Sequence, residues 1–224
     1  MALKAADKQR WAEIDSVIAE HKATLKAAKS HEALKDFATE QGWMNAADFP
    51  KYKRSLTRIG VFYDQLREQT FAEQQARKAE ELAQLDDDAP RVILWTAACE
   101  AEDGSEASFA LVNAEREAVW FGKFFDEDRV RVPGDLISAE QSAANKAVWL
   151  GAKALEAAGH EHGWVEIITT CPELDLAMLK ADGVRNGVGV EVVVSDDERA
   201  VVMAEQPGFA RWQDCDLAGL VESE

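Results

Sequence analysis

Between Asp7 and Lys29 the apolar positions fall at Trp11, Ile14, Ile18, Leu25 and Ala28. Steps of three, four and seven place them on one stripe of a helix whose other faces are polar. Ser30 is placed to cap a second helix, with Leu34 and Phe37 inward and Gly42 at its end. Asn45 then opens a third segment, Ala46 to Ile59, with Pro50 in its first turn and Gly60 behind it. A fourth helix runs from about Val61 to Leu85. It begins with Phe62, Tyr63 and Leu66, but beyond Phe71 it is polar nearly all round. Such a helix is either a solvated rod or one that pairs with a second helix, so an oligomer through residues 62–85 stays open.

The pattern changes after Asp86-Asp87-Asp88-Ala89-Pro90. Three adjacent acids repel one another, and Pro90 cannot continue a helix. Arg91–Cys99 is a compact apolar run, and Ser108–Asn113 and Ala118–Phe125 follow at short intervals. Three strands so connected predict an antiparallel meander. A long helix is predicted from Ala139 to Ala158, capped by Ser138 and stopped by Gly159. Its inward residues include Ala147, Leu150, Ala154 and Leu155. Trp164–Thr170 reads as a fourth strand, Pro172–Lys180 as a helix, and Gly189–Val194 as a fifth strand. Ala200–Ala204 is expected as a sixth strand and Asp214–Val221 as a closing helix. The fold class is therefore α+β in two domains: an all-α domain over residues 1–88, then an α/β domain over 89–224.

Composition divides at the same place. The chain has 224 residues and a formal charge of −17. Residues 1–85 hold 14 Lys/Arg against 13 Asp/Glu, a net of +1, and residues 86–224 hold 11 against 29, a net of −18. The acidity argues against nucleic acid on the second domain, but not on the first. Three scattered Cys argue against a disulfide scaffold. No apolar run is long enough for a membrane span and no leader is evident, so the expected setting is cytoplasmic, with no membrane partner.

One cluster stands out in the neutral half. Lys51, Lys53, Arg54 and Arg58, with Tyr52 among them, fall within eight residues. Lys51, Arg54 and Arg58 share a helix face. A short helix, a Gly turn and this basic helix loosely suggest a helix-turn-helix, so residues 45–60 are a candidate contact for DNA, RNA or a protein partner. The alternative is a solvated basic face that answers the acidic second domain.

The order β-β-β-α-β-α-β, with additions at the C-terminus, resembles the ribonuclease H-like fold over residues 91 to about 221. Active members hold two Mg²⁺ on clustered carboxylates, which activate water and steady the leaving oxygen. The resemblance places the first-strand acid at Ala97, in Leu94-Trp95-Thr96-Ala97-Ala98. It places the helical acid at Ala144, in the run from Ala143 to Leu155. Cys171, in Thr170-Cys171-Pro172, takes the third position, and Asp216 matches the last acid. Alanine offers no ligand, a thiol is soft, and Mg²⁺ needs hard oxygen. The resemblance thus implies a degenerate site at Ala97, Ala144, Cys171 and Asp216, with no catalytic residue, metal or cofactor. A shifted set made of Glu100, Asp103 and Asp175 remains the alternative.

Other chemistry is thinly supported. Cys171 before a helix would be a reactive thiolate, yet Ala177 stands where a phosphatase loop needs Arg. His160-Glu161-His162 has no further ligand close in sequence. Asp182–Val190 is Gly-rich but precedes a strand, against a dinucleotide site. The expected function is a non-enzymatic adaptor, its acidic domain meeting a protein with a basic surface. A DNA-binding regulator and a divergent metal-dependent nuclease are the alternatives.

Overall fold

The computed structural model describes residues 5–222 apart from Glu102. The chain is mixed α/β, with its helices first and its sheet later. It divides into two compact units, one ending at Ala76 and one beginning at Arg77. No helix among the described residues is long and apolar enough to cross a membrane.

The first unit is helical: α1 (Ala5–Glu20), α2 (Lys22–Ala27), α3 (His31–Glu40), α4 (Phe49–Arg58) and the start of α5 (Tyr63–Leu82). Of the stripe read from the sequence, Ile14, Ile18 and Leu25 lie in the unit's core, Ala28 packs at the margin, and Trp11 stays half-buried under Arg58. Ile14, Ile18, Leu25, Leu34, Trp43, Tyr52 and Leu56 are all buried together. The first predicted helix is interrupted at His21, whose ring packs edge-on against Phe37. The third starts later than expected. The side-chain oxygen of Asn45 accepts from the N–H groups of Ala47 and Asp48 at 3.0 and 2.9 Å, a local turn that delays α4 to Phe49.

The second unit contains β1 (Arg91–Glu100), β2 (Ala107–Val112), β3 (Ala118–Lys123), α6 (Leu136–Ala157), β4 (Trp164–Thr169), α7 (Leu176–Asn186), β5 (Gly189–Val194), α8 (Arg199–Ala204) and β6 (Val221–Glu222). The sheet order is β3-β2-β1-β4-β5. β1–β3 form the expected antiparallel meander, while β4 and β5 run parallel to β1. β6 pairs with Arg91 and Val92 at the start of β1.

Alternation along β1 assigns its two faces. Val92, Leu94 and Ala98 pack toward α6, and Trp95, Ala97 and Cys99 toward α8. The α6 side is the larger core, and Trp120 and Trp212 both pack against it.

Four elements of this unit differ from the sequence reading. Ala200–Ala204 is the helix α8, not a strand. Short apolar runs fit either structure, and here Ala200 and Ala204, four apart, form one small-residue face against Ala97 and Ala110. The helix expected over Asp214–Val221 is two 3₁₀ turns, Trp212–Asp214 and Ala218–Leu220, followed by β6. Finally, α6 and α7 are capped by aspartates. Asp135 accepts from the N–H groups of Ile137 and Ser138, and Asp175 from that of Met178. These caps set the helix starts at Leu136 and Leu176 rather than at Ala139 and Pro172.

Candidate functional site

β1 and β4 lie side by side and parallel, with Thr96 opposite Thr169. Ligands of open α/β sheets gather at the carboxyl ends of such strands. The start of α6 and the turn after β4 close over these ends. They bring Glu140, Gln141, Thr96, Thr169 and Cys171 to one polar spot beside the apolar α6 core.

Glu140 is its most unusual member. It is 6% exposed, and its Oε2 has no hydrogen-bond partner. The Oγ1 of Thr96, on the β1 face turned to α6, is also unpartnered. Burial pushes the Glu140 carboxyl up to about 7, and the backbone N–H of Ala98 offsets this only in part. Glu140 thus titrates near neutrality within a sealed wall. Beside it, the Gln141 side-chain oxygen accepts from the Asp175 N–H at 2.7 Å and ties α6 to the cap of α7.

Cys171 lies half-buried on this core. Its N–H donates to Thr169 Oγ1 at 3.1 Å, and burial pushes its thiol pKa up. The reactive-thiolate idea loses its basis, because α7 begins five residues later and leaves no helix N-terminus at the sulfur.

The four positions of the expected degenerate site do not meet. Ala97 packs toward α8 and Ala144 packs in the α6 core, on opposite faces of the sheet. Asp216 is exposed and accepts from the Gly219 N–H in a turn. That turn lies between Trp212, packed edge-on against Trp149, and Val221, paired with Val92 at the far end of β1. The neighbours of two of these positions do meet. Ala98, one residue on, faces α6, and Glu140, one turn before Ala144, reaches the Ala98 amide. Glu140 is the functional candidate that sequence reasoning missed. Its signal was an acid three, four and seven residues before Ala143, Ala144 and Ala147 on the buried stripe.

The shifted acidic set is also dispersed. Glu100 is held by Arg131 and by the Gly134 N–H. Asp103 accepts from the Ser105 N–H, and Asp175 caps α7. Among the described residues no three His, Cys, Asp or Glu are arranged to hold a metal ion. The donor set at the strand ends is therefore one protonatable carboxylate, two hydroxyls and a thiol. It does not fit a pair of Mg²⁺ ions. His162 turns Nδ1 toward the Gly187 carbonyl at 3.1 Å.

The basic cluster of α4 is mostly spent within its own unit. Lys51 pairs with Asp7 at 3.0 Å, Lys53 with Asp64 at 2.6 Å and Arg58 with Asp15 at 2.6 Å. Arg54 is exposed, with no ion pair among the described residues. Tyr52 is fully buried, and its hydroxyl donates to the Leu34 carbonyl at 2.9 Å. It is a core residue and cannot stack on a partner. The basic face answers acids of α1 and α5.

No family model, curated protein or solved structure matches the chain.

Proposed function

We propose that residues 89–224 form a ribonuclease H-like domain without two-metal hydrolysis, which works as an acidic platform for a protein with a basic surface. The helical domain, residues 1–88, makes a separate partner contact. The strand order, with β1 between an antiparallel pair and a parallel pair, supports the fold reading. The observation that carries the functional reading is the donor set at the ends of β1 and β4. Glu140 is the one buried carboxylate there among the described residues, Ala98 and Cys171 flank it, and no second acid completes a metal clamp. A net charge of −18 over residues 86–224 supplies the attraction for a basic partner.

The DNA-binding alternative loses support because three of the four cations of α4 are paired and Tyr52 is sealed. The test uses the full chain with Mg²⁺ or Mn²⁺ and an RNA–DNA hybrid, and separately with lysine-rich and glutamate-rich peptides. The expected result is no cleavage, with salt-sensitive binding of the lysine-rich peptide alone. Metal-dependent cleavage that disappears in Glu140→Gln would restore the nuclease.

A further inference from the structure

The two edges of the sheet are finished differently. At β3 the backbone of Phe121 exchanges both hydrogen bonds with Ala210, at 3.2 and 3.0 Å, and Lys123 stands at the strand's end. A paired bridge and a lysine are common ways to blunt an edge. At β5 neither is present. The strand reads Gly-Val-Glu-Val-Val-Val, it pairs only with β4, and no strand lies beyond it among the described residues.

Its side chains are open as well. Val190 and Val192 turn toward the α6 core, so Glu191 and Val193 lie on the opposite face. That is the face of α8, which packs chiefly on β1, β2 and β3 and leaves the β5 end of the sheet uncovered. Val193 is 43% exposed, and Val194, at the strand's end, is 56% exposed. An edge with free backbone donors and acceptors and uncovered valines is the physical basis for strand addition.

Charge decides the occupant. Residues 189–198 carry Glu191, Asp196, Asp197 and Glu198 and no Lys or Arg. Arg91 bridges both Glu166 and Glu191, so its single charge leaves one of them uncompensated. Arg199 is held by Asp197 and by the carbonyls of Asn113 and Ala114. Asp196 and Glu198 have no ion pair among the described residues. A second copy of this chain would bring the same acids to the same edge, where like charges repel.

We infer that β5 is a strand-addition site for an extended segment of a protein partner in which Lys or Arg alternates with apolar residues. Such a segment would continue the sheet by backbone hydrogen bonds, lay its apolar side chains beside Val192 and Val194, and set its cations on the face of Glu191, with Asp196 and Glu198 just beyond the strand. This rests on the acidic-platform reading and names its surface and partner.

The probe is a peptide of alternating Lys and Val, titrated against the full chain. A version N-methylated at alternate backbone amides keeps the charge but cannot pair with a strand. The expected outcome is binding of the first peptide, a loss of at least about tenfold on N-methylation, and slowed amide exchange at Val192–Val194. Equal binding of both peptides overturns the edge site and leaves the acidic platform standing. No binding of either at low salt overturns both. Sedimentation showing that the chain dimerises through β5, with the peptide unable to compete, overturns the choice of partner in favour of a second copy.

Discussion

Arg131 grips Glu100 through two N–H donors, with Nη2 2.6 Å from Oε1, over a carboxylate side chain only 1% exposed. The Gly134 N–H donates to the same oxygen at 2.8 Å. One bidentate pair thus ties the end of β1 to the loop that leads into α6. Breaking a buried pair from one side leaves a stranded charge and costs about 3 kcal/mol or more. Glu100→Ala is expected to lower stability by that amount in urea unfolding, and a Glu100→Met/Arg131→Met double variant should recover much of it. The pairing with Arg131 also holds the Glu100 carboxyl below its ordinary value. Its stabilisation is therefore complete above the unfolded carboxylate range and is lost as pH falls through the depressed folded value.

Tyr52→Phe separates core from contact in the helical unit. The variant removes the donor to the Leu34 carbonyl and keeps the ring that packs with Phe37, Trp43 and Phe49. The expected loss is about 1 kcal/mol of stability, read by thermal or urea unfolding. Any partner affinity of residues 45–60 should stay unchanged at temperatures where the variant is folded. A loss of affinity without a loss of stability would place Tyr52 at the surface.

The sequence reading succeeded where a pattern repeats. The stripe through Ile14 and Ile18, the apolar β1 and the meander after it each rest on several residues that agree in period. It failed where one or two residues decide. Ala200–Ala204 is too short to show a period, and its helix follows from the small gap above Ala97 and Ala110. The site failed for a related reason. Ala144, matched by its distance from Gly151, and Ala97, matched by its place in β1, pack on opposite faces of the sheet. Only packing shows that residue 98, not 97, faces α6. The basic cluster was visible, but its partners Asp7, Asp15 and Asp64 are distant in sequence and could not be paired in advance.

Gly151 sets how closely α6 approaches β4. A Cβ built there would lie 2.5 and 2.8 Å from the two γ-methyls of Val165. In an open helix Gly→Ala gains about 1 kcal/mol. Here the overlap should reverse the sign, and Gly151→Ala is expected to destabilise by about 1–3 kcal/mol. Adding Val165→Ala makes room for the new methyl. In a double-mutant cycle the pair should therefore cost less than the two single changes together. Strict additivity would mean that helix and strand are not packed at this point.

Glu140 gives the pH dependence of the candidate site. Its carboxyl is raised from 4.5 to about 7 because burial penalises the anion. Between those values the native chain keeps a proton that the unfolded chain releases, so this group's contribution falls as pH rises. Its stability is fully present below about pH 4.5 and lost once pH passes about 7. Glu140→Gln keeps the shape and removes the charge. At pH 8 the variant should be more stable than the parent by up to about 3 kcal/mol, the shift converted at about 1.4 kcal/mol per pH unit. The difference should shrink steadily toward pH 5 in urea titrations. A constant difference across that range would mean that Glu140 stays ionised in the fold. The orphaned Oε2 would then need a cation or donor bound from outside, and the adaptor reading would have to yield to a ligand-binding one.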